Sequence, residues 1–105
     1  MRHIYSAEYM HLISTACGLI GASQGELLGK SREPRLHQAR SACWVLYAVW
    51  GWHLDERTRW TSMAADINRP RPTTSQGTRK AIAAVQRDKD FAKLVLVIAK
   101  GAVSK

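Results

Sequence analysis

Between Arg57 and Arg87 the chain carries Arg57, Arg59, Arg69, Arg71, Arg79, Lys80 and Arg87 against one acid, Asp66. Among them stand Thr73, Thr74 and Gln76, neutral side chains that both donate and accept hydrogen bonds. Arginine pairs bidentately with guanine and glutamine with adenine, while threonine hydroxyls suit phosphates or base edges. A second basic run holds Lys30, Arg32, Arg35 and Arg40 against Glu33. Over the whole chain, 16 Lys and Arg against 8 Asp and Glu leave a net charge of +8 and a pI near 10.1. Positive charge gathered into stripes calls for a polyanion, and nucleic acid or an anionic membrane are the common ones.

Other chemistries find no footing in the residue pattern. His3, His11, His37 and His53 have no metal-ligand spacing with Cys17 and Cys43, so no metal and no cofactor are expected. The thiols sit among apolar neighbours at helical core spacing, as buried reduced cysteines of a cytosolic protein do. Asp55-Glu56 are adjacent and define no acid/base geometry, and no catalytic residues are assigned. Gly25-Glu-Leu-Leu-Gly29-Lys30-Ser31 imitates a phosphate-binding loop but is one residue short between its glycines, and Pro34 follows too soon. The start at Met1 lacks a signal-like apolar run, and the apolar stretches around Val45 and Val95 are too short to span a bilayer. A cytoplasmic, nucleoid-associated protein with no membrane and no small-molecule substrate is expected.

The elements that must position the basic side chains are all helical. At 105 residues there is room for one domain and one core, 1–105. Ser6 caps a first helix with Met10, Ile13, Cys17 and Ile20 on one face, broken by Gly18 and Gly21. Ser23-Gln24-Gly25-Glu26 reads as a capping box for a short helix closed by Gly29. Pro34 precedes a long helix from Arg35 to about Trp52, with Leu36, Ala39, Cys43, Leu46 and Trp50 inward. His53 to Arg59 reads as a loop. Thr61 then caps a short helix that turns in Trp60, Met63 and Ile67. Asn68-Arg69-Pro70-Arg71-Pro72 cannot be helix interior. A further helix starts at Pro72 or Thr73, facing Ser75, Thr78, Ile82 and Val85 inward and Thr73, Thr74, Gln76, Arg79 and Lys80 outward. Asp88 or Asp90 caps a last helix with Phe91, Leu94, Val95 and Ile98, ended by Gly101. The expectation is an all-α bundle of about six helices with a helix-turn-helix from Thr61 to Arg87, whose second helix suits a DNA major groove.

Trp60-Thr-Ser-Met63-Ala64-Ala-Asp-Ile67, the turn, and the helix opening at Thr73-Thr74 and running through Ile82 resemble the DNA-binding C-terminal domain (domain IV) of the bacterial replication initiator DnaA, a helix-turn-helix of the Trp-repressor-like type. Leu27-Leu28-Gly-Lys30-Ser-Arg32 with Arg40 resembles that family's basic loop, and Asp90-Phe91-Ala-Lys-Leu94 its terminal helix, so the likeness runs from about Tyr9 to Ile98. The resemblance implies that Arg40 enters a minor groove, Thr73 contacts a base and Thr74 a phosphate. Where the family carries Arg-Asp-His before the threonines, this chain carries Pro70-Arg71-Pro72, which removes the Asp and His that read particular bases. The family's ATPase domain is not part of this chain.

The expected function is therefore sequence-specific binding of double-stranded DNA, as a transcription regulator of phage, prophage or gene-transfer type by analogy with small initiator-like proteins. The expected interface is Arg32, Arg35, Arg40, Arg69, Arg71, Thr73, Thr74, Gln76, Arg79 and Lys80, with RNA polymerase or another regulator as a second partner. Two other readings stand beside it. The aromatic run Trp50-Gly-Trp52 would suit a protein-interaction module docking on polymerase or replication proteins, because aromatic residues are enriched at interface hot spots. A replication accessory factor would instead occupy initiator boxes.

Overall fold

The computed structural model describes residues 5–51 and 54–103, and every regular element among them is helical: α1 Ala7–Ile20, α2 Gln24–Leu28, α3 Pro34–Trp50, α4 Glu56–Ile67, α5 Arg71–Arg87 and α6 Lys89–Val103. Trp52, His53 and His3 lie outside the described residues; α3 ends at Trp50 rather than at about Trp52, and the Gly51 amide closes it on the Tyr47 carbonyl at 3.2 Å.

Local chemistry sets most of the boundaries. Ser6 Oγ accepts the Tyr9 amide at 3.2 Å to open α1, which runs through Gly18 and closes at Gly21, where φ is +70°. The box on α2 closes reciprocally, with Glu26 N–H to Ser23 Oγ at 3.1 Å and Ser23 N–H to Glu26 Oε1 at 3.0 Å. Asp88 Oδ1 accepts the Asp90 and Phe91 amides at 3.0 and 3.2 Å and so, rather than Asp90, caps α6.

The starts of α3 and α5 fall within a residue of expectation, whereas two further boundaries differ by more. α4 starts at Glu56, not after Thr61, because Asp55 reaches Thr58 twice: Oδ1 accepts its amide at 3.0 Å and Oδ2 its hydroxyl at 2.6 Å. Most of the expected loop to Arg59 is therefore the first turn of a helix. α6 does not stop at Gly101. That glycine lets α6 cross α1 closely, since a Cβ there would lie 2.8 Å from Thr15 Cγ2, and His11 Nε2 bonds the Ala102 carbonyl at 2.7 Å near the helix end.

α3 is the axis of the bundle and packs against all five other helices. Its inner surface is wider than the expected stripe: Leu36, Ala39, Ala42, Cys43, Trp44, Val45 and Ala48 are all buried, whereas Leu46 is half-buried and Trp50 is 41% exposed. Trp44 Nε1–H donates to Tyr9 Oη at 3.1 Å, which satisfies the one polar atom this large ring brings into the core. Both cysteines are free and buried. Among the described residues no helix is long and apolar enough to cross a membrane.

Candidate nucleic-acid interface

α4 and α5 are joined by Asn68, Arg69 and Pro70. Asn68 takes the left-handed conformation (φ 57°), which asparagine tolerates better than most residues, and ends α4. Pro70 and Pro72 then fall before and within the first turn of α5, where a missing amide hydrogen costs nothing. No side chain caps α5, so the Arg71 and Thr73 amides point past the helix end without a side-chain acceptor. Such a terminus, with its dipole, favours an anion.

α5 is turned differently from the expected orientation. Thr74, Thr78 and Ala81 are buried, while Ser75, Ile82 and Val85 are only half-buried. The inward stripe is thus rotated by roughly 50°, half the step between successive helical residues. The cause is Trp44. Its ring lies under Gly77, where a Cβ would stand 2.9 Å from Cζ3, so α5 turns its smallest side chains toward α3. Thr74, expected at a phosphate, is fully buried, and its hydroxyl donates to the Pro70 carbonyl at 3.0 Å. It is removed from the candidate contacts.

Arg40 is removed as well. It is 7% exposed, and its guanidinium forks across the α2–α3 loop: Nε to the Leu27 carbonyl at 2.8 Å, Nη1 to Ser31 at 2.9 Å and Nη2 to Glu26 at 3.4 Å. Burial and the nearby Arg69 guanidinium both push its pKa below the ordinary arginine value. Arg69, expected on a phosphate, is half-buried and donates through Nη2 to the Leu28 and Gly29 carbonyls at 3.0 and 2.9 Å, and through Nη1 to Asn68 at 3.2 Å. Both arginines act on protein carbonyls, which a short helix end and an open loop leave without partners. Arg35 is at the surface but engaged, with Nη1 on the Ile20 carbonyl at 2.9 Å and Nε 3.6 Å from Glu33.

The remaining expected residues are exposed: Arg32, Arg71, Thr73, Gln76, Arg79 and Lys80. Thr73, Gln76 and Lys80 follow the helical repeat along the outer side of α5, and α5 contains no acidic residue. Arg79 lies over the Trp60 ring, 5.6 Å from its centroid, which holds it against α4. The Arg69 bond to Gly29 sets the loop carrying Lys30 and Arg32 beside the turn that leads into Arg71. Lys30, which belongs to the second basic run but not to the expected interface, joins the site by this route. Its signal in the sequence is its place in that basic run, two residues before Arg32.

Among the described residues no group of three or more His, Cys, Asp or Glu side chains could hold a metal ion. Gly25, in the segment resembling a phosphate-binding loop, is helical. Comparison of the chain with protein-family models, with curated proteins and with solved structures finds no match.

Proposed function

We propose that the protein binds double-stranded DNA, with the amino-terminal half of α5 in a major groove and the Lys30–Arg32 loop on the adjoining backbone, and that it acts as a transcription regulator. The observation that carries this reading is the acid-free outer stripe of α5, Thr73, Gln76 and Lys80, with Arg71 exposed at the first residue of the helix and a second basic loop tied beside it by Arg69. A helix of 17 residues is about 25 Å long and enters a groove about 12 Å wide. Arg71 and Gln76 carry the guanine- and adenine-type donor sets, and Lys30, Arg32 and Lys80 supply charge for phosphates. The roles implied for Arg40 and Thr74 by the initiator-like pattern are not part of this reading, because both side chains are used internally.

Selection of bound sequences from random duplex DNA, followed by anisotropy titrations over a range of salt, tests the proposal. Arg71→Ala and Gln76→Ala should each weaken binding to the selected site by about 1–3 kcal/mol and binding to random duplex by less. Lys30→Ala and Arg32→Ala should weaken both DNAs alike and reduce the salt slope by about 0.9 per lost phosphate contact. Failure to enrich any motif, together with equal losses on both DNAs for Gln76→Ala, would refute base reading by α5.

A further inference from the structure

A groove of about 330 Å³ lies between the start of α1, the end of α3 and α4, lined by none of the α5 residues described above. Its floor is apolar, from Ala48 and Met63, with Leu54 at the side, and Tyr47 and Trp50 form an aromatic corner with ring centroids 6.4 Å apart at 68°. Glu8 and Asp66 bring two carboxylates to it and Arg59 one guanidinium. That guanidinium bonds the Gly51 and Leu54 carbonyls at 3.3 and 2.9 Å. Two negative charges against one positive leave the groove net negative in a chain whose overall charge is +8. Phosphate is therefore the wrong ligand for this place.

The Tyr47 side of the corner is anchored by hydrogen bonds. The Tyr47 hydroxyl donates to Asp66 Oδ2, and the Ser6 hydroxyl, which caps α1 with its oxygen, donates to the Tyr47 oxygen at 2.7 Å. Burial and the Asp66 carboxylate push the Tyr47 pKa up to about 12, so the ring stays neutral. A carboxylate has about four lone-pair sites, so Asp66 can accept a further donor while holding Tyr47. An electron-rich ring corner, carboxylates at its edge and an apolar floor match one side-chain chemistry: a guanidinium that stacks on a ring and forks to a carboxylate, with apolar neighbours to cover the floor. We propose that this groove is a second binding site, taking an arginine flanked by apolar residues from a partner protein.

The probe is the blocked peptide acetyl-Leu-Arg-Leu-amide, compared with the same peptide carrying citrulline, which has the shape of arginine without its charge. Binding is followed by backbone and indole NMR shifts of the intact chain. The arginine peptide should shift Glu8, Tyr47, Trp50, Ser62 and Asp66 together, with a dissociation constant of about 1 mM, and the citrulline peptide should bind about tenfold more weakly. Glu8→Gln, at an exposed position, and Asp66→Asn, which retains an oxygen for Tyr47, should each weaken the arginine peptide about two- to fivefold and leave the citrulline peptide unchanged. Equal shifts with both peptides, or no shift at this groove up to about 10 mM, would overturn the site. Concentration-dependent self-association abolished by Glu8→Gln would overturn the partner, making the occupant a second copy of the chain.

Discussion

Replacing Arg40 with alanine separates two roles that one side chain could have, contact with DNA and support of a loop. The substitution removes three hydrogen bonds to the carbonyls of Leu27, Ser31 and Glu26, two of them at 2.8 and 2.9 Å and the third long at 3.4 Å. Bonds from a charged donor contribute about 1.5–3 kcal/mol each. Counting only the short pair, at the low end because relief of the Arg69 repulsion offsets part of the loss, gives about 3 kcal/mol. For a domain of this size each kcal/mol moves the melting midpoint by about 4–8 °C, so Arg40→Ala should lower Tm by about 12–24 °C. Arg40→Lys should recover about half, since an ammonium cannot fork across both carbonyls. Circular dichroism melts measure this, and DNA titrations well below the variant's midpoint measure the other role. The salt slope of binding should match that of the parent chain. A Tm within about 2 °C of the parent, with a slope reduced by about 0.9, would place Arg40 on a phosphate and refute the clamp.

The helix packing makes a paired prediction. Gly77→Ala should destabilise by about 1–3 kcal/mol, because its Cβ would meet the buried Trp44 ring at 2.9 Å. Gly18→Ala, inside α1 with nothing within 4 Å of a Cβ, should instead stabilise by about 0.5–1 kcal/mol; denaturant titrations read both, and equal signs would contradict the close approach. Two carboxyls lie below their ordinary range: Asp55, through the Thr58 hydroxyl and then its amide, and Glu26, through the Ser23 amide and then its hydroxyl. A lowered folded-state pKa gives stability that is present above the unfolded value and lost as pH falls through the folded one. Tm should thus drop between about pH 5 and pH 2, and the combined variant Asp55→Asn/Glu26→Gln should flatten that drop. Burial pushes the Cys43 thiol up to about 12 and raises that of Cys17, with Glu26 adding to the latter. Alkylation of the folded chain at about pH 8 should therefore be slow and accelerate on unfolding, and immediate reaction of Cys43 would contradict its burial.

Much of the bundle was readable from local pattern. Ser6, the Ser23–Glu26 box, Pro34 and Gly21 mark helix ends through contacts spanning only a few residues, and the apolar face Trp60, Met63 and Ile67 follows the helical period. The Asp55 cap was equally local and was missed because Thr61 offered a competing capping residue closer to the apolar face. The basic stripe on α5 was legible for the same reason: Thr73, Gln76 and Lys80 stand outward on any helix whose other side is apolar.

What the pattern could not contain was the use of each polar side chain once distant segments met. Whether an arginine faces solvent or caps a carbonyl depends on which carbonyls remain unpaired nearby. For Arg40 these lie up to 14 residues away and for Arg69 up to 41. The roll of α5, which takes Thr74 inside, is decided by the ring of Trp44 against Gly77, a contact between helices that no window of either sequence segment includes. Composition and periodicity alone thus determined that this is a basic chain whose described elements are all helical, with its charge gathered on the helix after the Asn68–Pro70 turn. Only the packed structure separated the cations that remain at the surface from those that hold the surface in place, because hydrogen-bond satisfaction is a property of the assembled core and not of neighbouring residues.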